Sequence, residues 1–204
     1  IAEYLGHFLK SLHALNLKEY PSFEKKVRWS KFTDFLLEKK ENLANEYAEL
    51  LDNEFLNHIM DYLPESIPSI ISKEWDPVFL HGDVTGEHVL GTVEESQDNI
   101  QFTPMTVIDF GDAKIGDPLY EIIPIHIDIF KGDKELTTKL IETYGIDKFR
   151  VDENFSYRAM CLTLLHEQDA MRSVYMNQPE WEEIKDIREI EKLLWDLKFD
   201  NEKK

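Results

Sequence analysis

The 204-residue chain holds a single cysteine, Cys161, so no internal disulfide can form. That residue sits in the apolar run Met160-Cys161-Leu162, where a buried, inert thiol is expected rather than a nucleophile. A chain built without disulfides suits a reducing compartment, and a cytoplasmic location is expected. No apolar run reaches bilayer-spanning length and no stretch reads as a signal peptide, so no membrane partner is expected. Basic residues are scarce: 23 Lys and Arg stand against 41 Asp and Glu, a net charge of −18. Such a field repels nucleic acid and favours cationic ligands, although solubility alone accounts for much of it. Glycine and proline number 8 each, too few for a low-complexity or fibrous chain.

What is present is ordinary for one globular core, 42% hydrophobic and 31% charged. The chain opens at Ile1 already inside a helical pattern, with Leu5, Phe8, Leu9, Leu12 and Leu15 at helical spacing. His13 near its end is expected to be structural. Residues 16–30 read as irregular around Pro21. A long helical pattern follows through Phe32, Phe35, Leu36, Leu43, Tyr47, Phe55 and Ile59, with room for a break around Leu43, and stops near Pro64. Trp75-Asp76-Pro77 reads as a turn into the short strand Val78-Phe79-Leu80. Val89-Leu90 is a second short strand, residues 94–99 a polar hairpin tip, and Ile100 to Ile108 a strand that Pro104 confines to an edge. Asp117 is placed to cap a helix from Pro118 to about Phe130, with Pro124 absorbed or kinking it. Three further helices are predicted, at about 133–144 ending at Gly145, 153–176 and 180–199, before the charged end Asn201-Glu202-Lys203-Lys204. The fold class is mostly α, an α+β arrangement of helices around a small β-hairpin.

Polar chemistry concentrates in two turns. One is His81-Gly82-Asp83-Val84-Thr85-Gly86-Glu87-His88, and the other is Asp109-Phe110-Gly111-Asp112 after Val107-Ile108. A carboxylate just past a strand, beside a residue as small as Gly82, can approach a substrate hydroxyl and accept its proton, which fits Asp83 as a general base. Asp109 can offer hard oxygen to a divalent cation. A base and a cation site together are what phosphoryl transfer requires.

These residues, with Ile115-Gly116-Asp117-Pro118-Leu119-Tyr120-Glu121 downstream, resemble the aminoglycoside phosphotransferase and choline kinase family. Its loops read His-Gly-Asp-x-x-x-x-Asn, then Ile-Asp-Phe/Trp-Gly/Glu, then Gly-Asp-Pro-x-x-Asp. The opening helix, ending in Leu12-His13, is similar to the family's helix after the hinge. The resemblance covers nearly the whole chain. It implies the C-terminal lobe of a protein-kinase-like fold across residues 1–204, acting on a hydroxyl of a small acceptor, cationic amines included. It further implies Asp83 as catalytic base, His81 as its supporting loop residue, Asp109 as the main Mg2+ ligand and ATP as co-substrate. Gly111, Gly116 and Asp117 become loop and turn residues, while Tyr120 and Glu121 pack and cap. Gly82, where protein kinases carry an arginine, and the lack of an Ala-Pro-Glu segment favour a small acceptor over a protein.

The chain departs from the family at His88, which stands at the Asn position. An amide oxygen suits Mg2+, whereas a neutral imidazole favours zinc-like ions, so His88 either coordinates the metal or hydrogen-bonds Asp83. No glycine-rich loop followed by a strand lysine occurs in the chain, so a nucleotide-binding N-terminal lobe is expected upstream, and the isolated chain is expected to be inactive. Glu153, Glu167, Asp169 and Tyr175, with Trp181 further on, are candidates for the acceptor wall, with solvated helix faces and core aromatics as the alternative reading of each. Two other readings stand beside this one: a catalytically weak or inactive kinase-like binding or scaffold module of a larger protein, and a metal oxygenase or hydrolase using His81, Asp83 and His88 or His126.

Overall fold

In the computed structural model, residues 1–16, 25–71, 77–96, 99–149 and 151–199 are described. Helices dominate. They are α1 (Ala2–His13), α2 (Lys25–Glu46), α3 (Asn53–Tyr62), α4 (Pro118–Pro124), α5 (Lys134–Tyr144), α6 (Phe155–Leu164), α7 (Ala170–Asn177) and α8 (Ile187–Trp195). Four strands lie between α3 and α4: β1 (Val78–Leu80), β2 (Val89–Ser96), β3 (Asn99–Val107) and β4 (Lys114–Gly116). The mostly helical expectation holds.

The strands form two antiparallel pairs, β1 with β4 and β2 with β3. This nesting positions the site. Leu80, the end of β1, faces Lys114, the start of β4. Val89, the start of β2, faces Val107, the end of β3. Each of the connections 81–88 and 108–113 therefore starts beside the end of the other, and Asp83 and Asp109 come to flank His88 although 26 positions separate them in the sequence. The β2–β3 register slips between Leu90 and Gly91, where Gly91 faces Pro104 and Leu90 faces Thr106. Met105 is the extra residue of this bulge, placed beside the proline that cannot donate to the ladder.

The core is built around α4, whose seven residues are all buried. A helix apolar on every side must lie inside, and its polar member Glu121 must then find partners there. Asp117 caps it by accepting the Leu119 N–H at 2.9 Å. After Pro124 the helix widens into a π turn, Ile125–Ile129, with the Phe130 N–H reaching the Ile125 carbonyl at 2.9 Å. Helix α1 lies against α5 so closely that a Cβ on Gly6 would come 2.8 Å from the Leu140 carbonyl oxygen.

Several helices are shorter than their apolar periodicity suggests. The long pattern breaks at 47–52 rather than at Leu43, because Asp52 accepts the Phe55 N–H at 2.8 Å and starts α3 afresh. The stretch 153–176 is two helices. Asp169 caps α7 through the Arg172 N–H at 3.0 Å, and the Glu167 N–H leaves the helical ladder for the Tyr120 hydroxyl at 2.9 Å. The helix expected over 180–199 is a 3-10 turn, Pro179–Glu183, followed by α8 from its cap Asp186. Residues 25–30, read as irregular, belong to α2, and β2 runs to Ser96 rather than ending at Leu90. The turn at Trp75-Asp76, much of the irregular stretch around Pro21, the tip residues 97–98 and the charged end lie outside the described residues.

Candidate active site

The loop after β1 is anchored from below. Glu121, fully buried, accepts the backbone N–H of His81 at 2.6 Å and that of Gly82 at 2.9 Å. Two amides that a tight turn would leave unpaired are thus satisfied by one carboxylate. Gly82 has φ +90°, and a Cβ there would lie 2.4 Å from the Asp112 carbonyl oxygen. Only glycine permits both the turn and this contact between the two loops.

His81 is buried and spans the same gap. Its Nε2–H donates to the Ile108 carbonyl at 2.8 Å, and its Nδ1 accepts the Asp83 N–H at 3.3 Å. Both ring nitrogens are thus used in bracing the loops. Its other face meets Phe110 at 4.5 Å between ring centroids.

Asp83 Oδ1 is buried and has no hydrogen-bond partner among the described residues, while Oδ2 lies 3.5 Å from His88 Nδ1. Burial holds the Asp83 pKa above the ordinary aspartate value, with the His88 ring pulling the other way. Asp109 has φ 63°, a left-handed conformation uncommon outside glycine. Its Oδ1 accepts the Gly111 N–H at 3.2 Å, and its Oδ2 faces His88 Nε2 at 3.9 Å. His88 therefore stands between the two carboxylates, and its Nδ1–H is spent on the Asp83 carbonyl at 2.7 Å, with the Thr85 hydroxyl at 3.2 Å.

Gly116, expected in a turn, is instead the last residue of β4, paired with Val78, and Asp117 is the cap of α4. A Cβ on Gly116 would press to 2.7 Å from Leu80 Cδ1, so its absence lets β4 lie on β1. Among the described residues, no group of three or more His, Cys, Asp or Glu side chains is placed to hold a metal ion. His126, the other histidine weighed for a metal centre, is buried away from the loops. Its Nε2–H donates to the Leu194 carbonyl at 2.9 Å, its Nδ1 meets the Thr137 hydroxyl at 2.6 Å, and burial lowers its pKa to about 4. Both of its nitrogens are occupied, as are both of His81's, which removes the geometric basis for an oxygenase-type site.

A cavity of about 340 Å³ opens beside Asp83. Ile123, Pro124, Ile127 and Ala170 give it an apolar side, whereas Asp83, Glu87, Asp128, Gln168 and Ser173 give it a polar one, and among the described residues no lysine or arginine lines it. Of the candidates offered by the sequence for the acceptor wall, Glu153, Glu167, Asp169, Tyr175 and Trp181, none lines this cavity. Glu167 turns to Lys114, and Asp169 is taken by its capping role and by Arg172 at 2.9 Å. Their immediate neighbours His166, Gln168 and Ala170 face the space instead. His166 is stacked on Tyr120 at 4.2 Å, and burial lowers its pKa to about 3, so it lines the cavity uncharged.

Sequence reasoning assigns Glu121 to packing and misses its role as the loop's anchor. The available signal is its position at the end of the Gly-Asp-Pro turn motif, where the family pattern carries aspartate. Behind it, His13 Nε2 lies 3.6 Å from Glu121 Oε2, and His13 Nδ1 meets the Tyr144 hydroxyl at 2.9 Å. Nothing local marks Asp128, which accepts the Gly86 N–H at 2.6 Å.

Comparison with known proteins bears on the fold and the family. The GDP complex of wild-type aminoglycoside 2'-phosphotransferase-IIIa is similar with a TM-score of 0.57 at 19% identity, over 96% of this chain and 60% of that one. The GDP and kanamycin complex of APH(2")-IIia gives a TM-score of 0.57 at 20% identity, over 88% of this chain and 61% of that one. These likenesses are of fold. Among curated proteins, the lysine-specific demethylase JMJ21 of Arabidopsis thaliana is 27% identical over 247 residues, which is 97% of this chain and 26% of that protein. The chain thus spans less than two thirds of the length of each of these relatives. The family model described as the phosphotransferase enzyme family matches residues 1–161, most of the chain, and the protein belongs to that family.

Proposed function

We propose that this chain is the acceptor-side, C-terminal lobe of an ATP-dependent phosphotransferase acting on a hydroxyl of a small molecule. One observation carries the reading. Asp83 Oδ1 is buried and unpartnered among the described residues, and its residue lines a cavity together with His88, whose Nε2 faces Asp109 at 3.9 Å. A buried acceptor without a donor is costly, and an alcohol in the cavity would supply the donor.

Asp83 accepts the proton of that hydroxyl as its oxygen attacks phosphorus. Burial, which raises the pKa of Asp83, also makes the carboxylate a stronger base. Glu121, His81 and Gly82 keep Asp83 in register with Asp109. Asp109 and His88 would hold a divalent cation, Mg2+ on the family pattern, and their donor set fits one. When bound, that ion would offset the charge developing on the transferred phosphoryl group. With two protein side chains available, its remaining positions fall to nucleotide oxygens and water. The lobe that would cover the nucleotide is expected in a segment preceding this one.

Asp83 and Glu87 line the cavity together with Asp128, which also pairs with Lys131 at 3.3 Å, and this acidic wall favours a cationic or neutral acceptor over an anionic one. A phosphorylation screen of amines, aminoglycosides and neutral sugars with labelled ATP tests this. Transfer to acidic acceptors only would contradict it.

One observation favours a second reading, a kinase-like module serving a larger protein without turnover. The chain matches 26% of a relative named as a demethylase. ATP binding with no transfer to any hydroxyl would support this second reading.

A further inference from the structure

We propose that His88 and Asp109 give this site a preference for a first-row transition-metal dication, such as Mn2+, over Mg2+. The proposal rests on the phosphotransferase reading and concerns the identity of its cation.

The hydrogen bonds of His88 decide which nitrogen is free. Nδ1 lies 2.7 Å from the Asp83 carbonyl, an acceptor only, so Nδ1 carries the proton. In the neutral ring Nε2 then holds a lone pair. That lone pair is on the side of Asp109, with Nε2 3.9 Å from Oδ2. The separation is too long for a hydrogen bond. It is short enough for one ion to bridge, since metal–nitrogen and metal–oxygen bonds are each about 2.0–2.2 Å. Asp109 is prepared in the same sense: Gly111 N–H holds Oδ1 at 3.2 Å and leaves Oδ2 toward the imidazole. A histidine whose far nitrogen is fixed by a backbone carbonyl is the usual arrangement of an imidazole metal ligand.

The donor set follows from the sequence. Where the family pattern has the amide oxygen of asparagine, this chain presents nitrogen. Mg2+ prefers oxygen and gives up water reluctantly. For nitrogen-containing sites, affinity rises along the first-row transition dications from Mn2+ onward. The carboxylate and nucleotide oxygens remain acceptable to Mn2+, so the exchange of one oxygen for one nitrogen tilts the site toward it. A histidine that only braced the loop through Nδ1 would leave cation choice unchanged.

Pulsed electron paramagnetic resonance on the full-length protein with Mn2+ and ADP tests this. Nitrogen hyperfine coupling from a directly bound imidazole is expected in the wild type and is expected to vanish in His88→Asn. In parallel, the Mg2+ excess needed to displace half of the bound Mn2+ should fall about tenfold in His88→Asn. Protein-bound Mn2+ without nitrogen coupling in the wild type, or equal Mg2+ competition in both proteins, overturns the proposal while leaving the phosphotransferase reading intact. Absence of any protein-dependent binding of ADP and Mn2+ would overturn both.

Discussion

The carboxylate of Glu121 accepts the backbone N–H of His81 at 2.6 Å, across 40 positions of sequence, and neither partner is exposed to solvent. A buried charge-assisted bond of this kind fixes the loop's floor. Glu121→Gln replaces one acceptor by a donor opposite an N–H group. A loss of about 2–3 kcal/mol is expected in urea unfolding. The His81 and Gly82 amides should also lose their protection from hydrogen exchange. Unchanged protection would show that the loop holds itself.

Gly82 meets the other loop directly. With φ +90° and only 2.4 Å from a would-be Cβ to the Asp112 oxygen, Gly82→Ala must shift one loop or the other. The expected cost is about 1–3 kcal/mol, read as a lower urea midpoint at constant m-value. A variant of wild-type stability would contradict the close approach.

The two loops are legible in the sequence, and the reason is local. Asp83 and Asp109 follow short apolar runs, Asp117 precedes a proline, and Gly145 ends an amphipathic stretch; α5 does stop at Tyr144 with Gly145 beyond it. What the sequence does not show is set by partners distant along the chain. The pairing of β1 with β4 involves three residues on each side, too few to leave a pattern. The break between α6 and α7 carries no proline or glycine, and it exists because the Tyr120 hydroxyl draws the Glu167 N–H away. Periodicity runs on through such a break, so the expected cavity wall is displaced by one residue, with Glu167 and Asp169 in place of His166, Gln168 and Ala170. Residue type alone leaves His88 two roles, metal ligand or partner of Asp83; the structure adds that Nδ1 lies on the Asp83 side and Nε2 on the Asp109 side.

The raised pKa of Asp83 has consequences of known sign. In the folded protein this carboxyl titrates above its ordinary value, chiefly through burial. The folded state therefore binds the proton more tightly than the unfolded state, and stability falls as pH rises from the ordinary aspartate value through the folded one. Asp83→Asn removes the buried charge, so at pH 7 its Tm should be equal to or up to a few degrees above that of the wild type. A lower Tm would contradict the desolvation argument. Transfer needs the ionised base, so its acid limb should lie above the ordinary aspartate pKa.

Cys161 is fully buried, and its thiol is pushed up to about 12 mainly by that burial. Thiolate is the reactive form. Aromatic disulfide reagents at pH 8 should leave it unmodified in the native protein and titrate one thiol in denaturant. Rapid native labelling would show that α6 opens readily.

The role of Asp83 is open to one direct measurement, steady-state phosphoryl transfer from ATP to a hydroxyl acceptor by the full-length protein and its Asp83→Asn variant. A fall in kcat of about 10²–10⁴ is expected from loss of the base, with nucleotide affinity by calorimetry within about twofold, or about 0.4 kcal/mol, of the wild type. Transfer at the wild-type rate in Asp83→Asn would contradict the assignment of Asp83 as the base.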